Sequence, residues 1–237
     1  MKKVYDYETA MVDIRYRRKK KSPRKTQILK SATKHFSEKG FDETSIKDIV
    51  DDAKCSIHAV NYYYGSKAAL WSEVICLLAE KHFQFAELLN PHLKEKVTAQ
   101  SFNIMVHKLF LYAFSEKNIK FAFMVPGVVS HDYEPALITL YKKFEEIDKF
   151  FKSYLSNLCK DEELLHQVSH LIWNNICAIT ISYRVINGPK INLQKFEAQL
   201  IQWAYFTTQS ACTILGIEDP GQLTPKQLDK IGTEIPQ

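Results

Sequence analysis

The sequence contains little glycine and proline. Only 7 glycines and 8 prolines occur among 237 residues, whereas 46% of the residues are hydrophobic. An all-β protein needs many tight turns, and glycine and proline are the residues that most often form them. Their scarcity argues against an all-β fold, and the sequence predicts an all-α protein built from long helices.

Long apolar runs and a cysteine framework are also missing. No run approaches the roughly 20 apolar residues of a membrane-spanning helix, and the first residues, MKKVYDYETAMVDIRYRRKKK, lack the apolar segment of a signal peptide. The five cysteines are odd in number and far apart, with no Cys-x-x-Cys pair. We therefore expect a cytoplasmic protein with reduced thiols and no membrane partner.

Positive charge is concentrated at one end of the chain. Residues 1–67 contain 16 Lys/Arg and 9 Asp/Glu, whereas residues 68–237 contain 16 and 18. Within the first segment, residues 15–25 include eight basic residues in eleven. Such a run can be a solvated tail or an arm that follows the phosphates of DNA. We assign residues 1–21 to a basic arm, with Arg17, Arg18 and Lys19 as its candidate DNA contacts.

The stretch after this arm has the pattern of a helix-turn-helix. Ser22 and Pro23 can open a helix that stops near Gly40, and Ser45 with Asp48 fits the capping box of a second helix. Lys54-Cys55-Ser56 then interrupts the pattern, and Ser56 can cap a third helix. Spacing directs Ala59, Val60 and Tyr63 inward in that helix. It directs these four residues outward: Ile57, His58, Asn61 and Tyr62. One helix across the phosphate backbone and the next in the major groove is the helix-turn-helix layout.

These residues carry a family resemblance. The stretch ILKSATKHFSEKGFDETSIKDIVDDAKCSIHAVNYYYGSKAAL resembles the N-terminal DNA-binding domain of the tetracycline-repressor (TetR) family, over roughly residues 24–75. The resemblance implies phosphate contacts from Thr44, Tyr62 and Lys67 and base contacts from Ile57, His58, Ala59 and Asn61. Ser45 and Ser56, at the two helix starts, complete the predicted DNA-binding set. The chain departs from the family at Lys54, where a glycine is usual, and also at residues 55, 57 and 61. Lys54 is strained if its φ is positive.

We predict a helix-turn-helix domain at residues 22–66, a larger helical ligand-binding and dimerisation domain at 67–216, and a C-terminal tail at 217–237. A helix from Lys67 to about Asn90 opens the larger domain. Further helices are expected near 98–116, 119–125, 134–159, 161–187 and 192–215, with a break at Pro126-Gly127.

Large apolar side chains in this domain can pack as core or line a ligand pocket. The family resemblance implies a pocket in this region. The candidate ligand-binding residues are Trp71, Phe102, Met105, Phe123, Trp173 and Asn175.

Two helices within residues 164–215 are apolar on nearly every side. A helix of this kind must be buried against its own domain and against a partner, and two such helices from each subunit would form a homodimer interface, as in the resembling family. Glu162, His166 and His170 recur at a spacing of four and could hold a metal, but a solvated helix face is the favoured interpretation. We expect no metal and no cofactor.

These features favour a DNA-binding transcriptional regulator that is not an enzyme. We expect a homodimeric repressor that a small, largely apolar effector releases from a palindromic operator. Two alternatives stay open. The chain could be a ligand-independent architectural DNA-binding protein, or a small-molecule-binding or enzymatic body tethered to DNA. Against the last, the sequence contains no nucleophile elbow and no phosphate-binding loop.

Overall fold

The computed structural model describes residues 22–82, 97–122, 124–130, 134–187 and 193–234. The described residues are helical or irregular and contain no strand, as the composition predicts. The helices are α1 Pro23–Glu43, α2 Ile46–Asp52, α3 Ile57–Tyr64, α4 Lys67–His82, α5 Ala99–Ala113, α6 Glu116–Ala122, α7 Val125–Ser130, α8 Glu134–Leu155, α9 Glu162–Asn187, α10 Leu193–Leu215 and α11 Pro225–Glu234. Within the described ranges, no helix is long and apolar enough to cross a membrane.

The chain divides into two compact units. The first consists of Met1–Lys81 and Lys120–Lys143, and the second of His82–Ile119 and Phe144–Gln237. The predicted boundary at residue 66 differs from this division, because α4 and a segment from the middle of the chain belong to the same compact unit as the helix-turn-helix.

The first unit is built around α1. This helix buries Ile28, Ala32 and Phe36 completely, and the Ser31 hydroxyl donates to the Ile49 carbonyl at 2.9 Å, which joins α1 to α2. The sequence predicts that α1 stops at Lys39, but helical residues continue to Glu43 beyond a kink at Gly40. Gly40 has φ 80° and ψ −176°, a conformation that only glycine adopts without strain.

The α4 helix buries Leu70, Val74, Ile75 and Ala79 completely. Its Cys76 Sγ lies 3.2 Å from the Thr139 hydroxyl of α8, within the same unit. The predicted continuation of this helix to Asn90 lies outside the described residues. The predicted break at Pro126-Gly127 is wrong, because both residues belong to α7. A proline is compatible with the first turn of a helix, where its missing N–H has no intrahelical partner.

The second unit packs α5, α9 and α10 against one another. Phe196 of α10 is at its centre, with ring centroids 5.7 Å from Phe114, 4.2 Å from Tyr183 and 5.2 Å from Trp203. An aromatic cluster of this kind buries a large apolar area in specific edge and tilted contacts.

The C-terminal segment is part of this unit. Leu223 and Ile231 are buried, α11 packs on α5, and the Asn103 amide donates to the Gly221 carbonyl at 2.9 Å. Residues predicted as a tail therefore contribute to the core. The sequence indicated only a helix start at Thr224-Pro225. It gave no indication of the contact with Asn103, because that residue lies more than a hundred positions earlier in the chain.

Candidate nucleic-acid interface

The capping box predicted for α2 is present. The Ser45 hydroxyl accepts from the Asp48 N–H at 3.0 Å, and the Asp48 carboxylate accepts from the Ser45 N–H at 3.1 Å. This backbone hydrogen bond from Ser45, together with the bond to its side chain, lowers the pKa of the Asp48 carboxyl. The box determines where α2 begins, and hence the direction from which the chain enters the turn before α3.

Helix α3, the predicted recognition helix, has a buried side and an exposed side. Val60 and Tyr64 are buried, and the Tyr64 hydroxyl donates to the Lys25 carbonyl of α1 at 2.9 Å. Burial is the main cause that raises the pKa of this phenol, so it stays a neutral hydrogen-bond donor. These contacts hold α3 at a defined angle on the core of the unit.

The other side of α3 presents the residues that the sequence assigns to DNA. Ile57 is 52% and Tyr62 is 72% exposed, and His58 and Asn61 are exposed as well. Single exposed apolar side chains are common on protein surfaces, so the informative feature is that Ile57 and Tyr62 share the exposed side of α3 with His58 and Asn61. Ala59, also predicted to contact a base, is half-buried, in agreement with its inward spacing.

Ser56 occupies the N-cap position of α3 and is exposed, and its side chain makes no capping hydrogen bond. The sequence predicts a capping serine here, so that part of the expectation is wrong. The hydroxyl at the start of the recognition helix is therefore not used for capping, and this position suits a contact with DNA.

A hydrogen bond joins the start of α1 to α3. The Ser22 hydroxyl donates to the Tyr63 hydroxyl at 3.0 Å, and the Tyr63 ring lies edge-on to Tyr62 with a centroid separation of 5.0 Å. The basic arm joins the described chain at Ser22, so its point of attachment lies beside α3. Arg17, Arg18 and Lys19 themselves lie outside the described residues.

Lys67, a predicted phosphate contact, starts α4. Its ammonium lies 4.3 Å from the centroid of the Phe41 ring and 3.5 Å from the Asp42 carbonyl. Both contacts are weak enough for the side chain to leave, so Lys67 is positioned at the end of the helix-turn-helix and remains half-buried.

Thr44 differs from its prediction. Its side chain is fully buried, and its hydroxyl lies 2.7 Å from the Gly40 carbonyl and 3.1 Å from the His35 carbonyl. A threonine hydroxyl has one hydrogen to donate, and here it points to the backbone of the kinked end of α1. The side chain of Thr44 therefore stabilises the kink, and its hydroxyl is engaged by the backbone rather than presented at the surface.

Lys54 lies in the turn between α2 and α3, at the position where the resembling family usually has a glycine. Lys54 has a φ of 49°, the only positive value at a non-glycine residue within the described ranges. The guanidinium of Arg24 donates to the Lys54 carbonyl at 2.7 Å, which ties the turn to α1. The sequence did not single out Arg24, whose role depends on a contact 30 residues away.

The predicted ligand-binding residues do not form one set. Trp71 belongs to the first unit, where its ring contacts Phe36 and Phe41 at centroid separations of 4.8 and 5.6 Å. Phe102 and Met105 are buried on α5 of the second unit. Phe123 lies outside the described residues. The prediction that Trp71 joins Phe102 in one pocket has no support within either unit.

The other two candidates lie on α9 in the second unit. Trp173 packs edge-on against Phe144 with centroids 4.9 Å apart, and the Asn175 amide donates to the Thr207 hydroxyl of α10 at 3.0 Å. The hydrogen bond accounts for the polar Asn175 in an otherwise apolar helix pair.

The histidines of α9 meet a carboxylate that the sequence did not indicate. Potential ligand atoms of Asp148, His166 and His170 lie within 4.8 Å of one another, and Glu162 is not among them. Lys152 already lies 2.9 Å from Asp148. Burial raises the pKa of the Asp148 carboxyl, but hydrogen bonds from Lys152 and Ser169 outweigh this and lower it overall. The carboxylate is thus engaged by an ammonium group, and the cluster is accounted for as an ion-pair network.

The comparison with known families decides the identity of the helix-turn-helix. Residues 28–74 match the family model of bacterial regulatory proteins of the tetR family. Residues 28–74 are therefore a DNA-binding domain of the tetR type. A domain of this kind identifies the chain as a DNA-binding transcriptional regulator. No curated protein shows a significant sequence match.

Solved structures share the fold of this chain. One, solved as a TetR-family transcriptional regulator from Mesorhizobium loti MAFF303099, has a TM-score of 0.61 and 16% identity, and the match covers 81% of this chain and 96% of that one. A transcriptional regulator from Rhodococcus sp. Rha1 has a TM-score of 0.60 and 12% identity, with 81% and 97% covered. The fatty acid degradation regulator FadR from Bacillus halodurans has a TM-score of 0.51 and 18% identity, with 78% and 96% covered. At these identities the likeness is one of fold.

Proposed function

We propose that this regulator is a repressor whose homodimer binds a palindromic operator and is released by a small, largely apolar effector. The observation that carries the proposal is the exposed face of α3. Ile57, His58, Asn61 and Tyr62 point outward from a short helix whose opposite face is locked into the core. Polar and apolar side chains on one exposed helix face can contact the base edges of a major groove and the phosphates beside it.

Each exposed side chain has a distinct role in this proposal. Asn61 can pair with the N6 and N7 positions of adenine, and Ile57 can contact the methyl group of thymine. His58 and the half-buried Ala59 lie beside them on α3. Tyr62, Lys67, Ser45 and Ser56 hold the flanking phosphates. Thr44 supports the helix-turn-helix from within, because its side chain is buried.

The basic arm adds sequence-independent affinity. It precedes Ser22, which the Tyr63 contact holds at the recognition helix. Arg17, Arg18 and Lys19 precede Ser22 by three to five residues in the sequence. The proposal assigns them to the groove next to the one that α3 enters, where an arginine-rich arm gains affinity from phosphate charge and a narrow minor groove.

Helices α9 and α10 are the proposed dimer interface, over residues 164–215. Phe206 of α10 is 48% exposed, and Trp173 and Cys177 of α9 are only half-buried. Burial against a second copy would remove this apolar surface from water. A symmetric dimer would present two α3 helices to half-sites about 34–36 Å apart, one turn of DNA.

The second unit offers suitable chemistry for an apolar effector. Helix α5 buries Phe102, Met105 and Phe110, and among them Asn103 is fully buried. Its amide nitrogen bonds to Gly221, but its carbonyl oxygen has no hydrogen-bond partner among the described residues. A buried unpaired acceptor costs about 1–3 kcal/mol, so an apolar molecule with one donor group would gain by binding there. Such a ligand releases DNA only if it binds the DNA-free arrangement more tightly.

The test starts with binding sites selected from a random duplex library by the purified protein. The proposal expects an inverted repeat, protection of both half-sites, and one dimer bound per site. Phe206→Glu should convert the dimer to monomer and weaken binding to the full palindrome much more than binding to one half-site. Its control is Tyr141→Glu, which places the same charge at another exposed aromatic residue outside α9 and α10.

Selection of a direct or asymmetric site would contradict the palindrome, and an unchanged dimer in Phe206→Glu would contradict the interface. For the effector, a library of apolar compounds is screened for a rise in melting temperature together with DNA release. Compounds that stabilise the protein and leave DNA binding unchanged would argue against a released repressor.

A further inference from the structure

An open groove with basic walls lies on the first unit, apart from the exposed face of α3. Its volume is about 660 Å³, and it is lined by Arg24, Gln27, Lys30, Ser31, Lys34, Asp52, Ala53 and Lys54. The first five of these residues belong to α1, the next two lie at the end of α2, and Lys54 forms the turn that leads to α3.

Helix geometry explains why α1 contributes one continuous wall. Arg24, Gln27, Lys30 and Lys34 recur at spacings of three and four, so they share one face of the helix. With a rise of about 1.5 Å per residue, the wall from Arg24 to Lys34 is about 15 Å long. Phosphate charges on one strand of DNA recur every 3.4 Å or so along the axis, so the wall can face several phosphates.

Lys54 enters the groove because of its unusual backbone. Its φ of 49° turns the chain sharply after α2, and the bond from Arg24 to its carbonyl holds the turn against α1 at 2.7 Å. A glycine at this position would make the same turn without a side chain. The lysine thus adds a cation to the groove at a position where the family usually has none.

The charge of the groove is strongly one-sided. Four cationic side chains line it, and Asp52 is the one acidic residue among the lining residues. The ammonium of Lys34 lies 3.1 Å from Asp52, and hydrogen bonds from Ser31 and then Lys34 lower the pKa of that carboxyl. After this pairing, Arg24, Lys30 and Lys54 remain as an excess of positive charge around an open depression.

We propose that this groove is a phosphate-binding site, and that its ligand is the DNA backbone beside the half-site read by α3. The proposal rests on the proposed DNA-binding function. It adds a contact surface on α1 and the turn to the phosphate contacts assigned to Tyr62 and Lys67. Only Cys55 separates Lys54 from Ser56 at the start of α3, so a duplex that seats α3 passes close to the groove. A free phosphorylated molecule shares the same chemistry and is the alternative source.

The test compares the wild-type protein with Lys30→Gln/Lys54→Gln. Binding to the selected operator and to a random duplex is measured between 50 and 300 mM salt, to give the slope of log K against log salt. Each lost phosphate contact reduces that slope by about 0.9, so the double variant should lose about 1.8 per bound helix-turn-helix domain. Because phosphate contacts carry no sequence information, the loss should be the same on both duplexes.

Ethylation interference then locates the contact. Phosphates whose ethylation weakens binding of the wild type but not of the double variant should form one patch beside each half-site. The control is Lys142→Gln/Lys149→Gln, which removes two exposed cations of α8 and should leave both the slope and the ethylation pattern unchanged. Circular dichroism and melting temperature establish that each variant is folded.

A slope and an ethylation pattern equal to those of the wild type would overturn the groove and leave the proposed function intact. Absence of binding to either duplex by the wild type would overturn both proposals. For the alternative source, inorganic phosphate is added at constant ionic strength. Stabilisation of the wild type but not the double variant, with an unchanged DNA slope, would assign the groove to a small phosphorylated ligand and overturn the DNA contact.

Discussion

Thr44→Val separates a structural role for Thr44 from a DNA contact. Valine has nearly the shape of threonine and lacks its hydroxyl. In the protein that hydroxyl is fully buried and donates to the Gly40 carbonyl at 2.7 Å, with the His35 carbonyl at 3.1 Å. The substitution removes this donor and leaves the space filled.

The expected loss follows from these contacts. A buried acceptor left without its donor costs about 1–3 kcal/mol, and a typical net hydrogen bond is worth about 1 kcal/mol. We therefore expect the free energy of unfolding to fall by about 1.5 kcal/mol. Thr33→Val is the matched control, because the Thr33 hydroxyl donates to the Leu29 carbonyl one turn earlier in α1, at 2.8 Å. A hydrogen bond from a threonine hydroxyl to the carbonyl four residues earlier in the same helix contributes little to stability. The control should therefore change the free energy of unfolding by less than about 0.5 kcal/mol.

Urea denaturation measures the stability of both variants, and operator binding at several salt concentrations measures phosphate contacts. Thr44→Val should have a lower denaturation midpoint and an unchanged salt slope at temperatures where it is fully folded. A salt slope reduced by about 0.9 per bound domain, with stability equal to that of Thr33→Val, would refute the structural role and restore Thr44 as a phosphate contact.

Three further outcomes follow from the described contacts. Lys54→Gly should stabilise the protein by about 0.5–1 kcal/mol in thermal denaturation, because relief of a left-handed backbone exceeds the added chain entropy of glycine; a lower melting temperature would contradict this. Asn61→Ala should change preference at one base pair, whereas Lys67→Ala should weaken binding to all sequences alike, as competition against a set of mutated operators will show. Burial lowers the pKa of His107 below its usual 6.5, so unfolded chains take up more protons and stability should decline as the pH falls below about 6.5. His107→Gln should flatten the stability profile in that range, and an unchanged profile would assign the decline to other groups.

Local patterns in the sequence predicted the parts of the fold that depend on neighbours in the chain. The Ser45–Asp48 box, the turn before Ser56 and the outward face of α3 each rest on spacings of three or four residues, and the structure has all three. The sequence left the sign of φ at Lys54 open, and the structure has a φ of 49° there.

Contacts between distant residues account for what the sequence did not predict. Thr44 has the position of a phosphate contact, but the kink at Gly40 turns its hydroxyl into the core. Trp71 was a candidate pocket residue because its side chain is large and apolar, but its ring packs on Phe36 of α1. Asp148 joins two histidines through the packing of two separate helices. In each of these positions, contacts with residues distant in the sequence determine what the side chain does in the structure.

Lys54 shows how a local backbone conformation depends on a contact with a distant residue. A lysine in a left-handed conformation costs about 1–2 kcal/mol relative to the ordinary backbone, and the bond from Arg24 to its carbonyl offsets part of that cost. The compensation uses a residue of the same groove, so the strained turn and the basic wall are held together by one contact. The strained turn therefore positions a cation two residues before the N-cap of α3. Strain at this site and charge at this site are consequences of the same side chain, and a glycine would remove both.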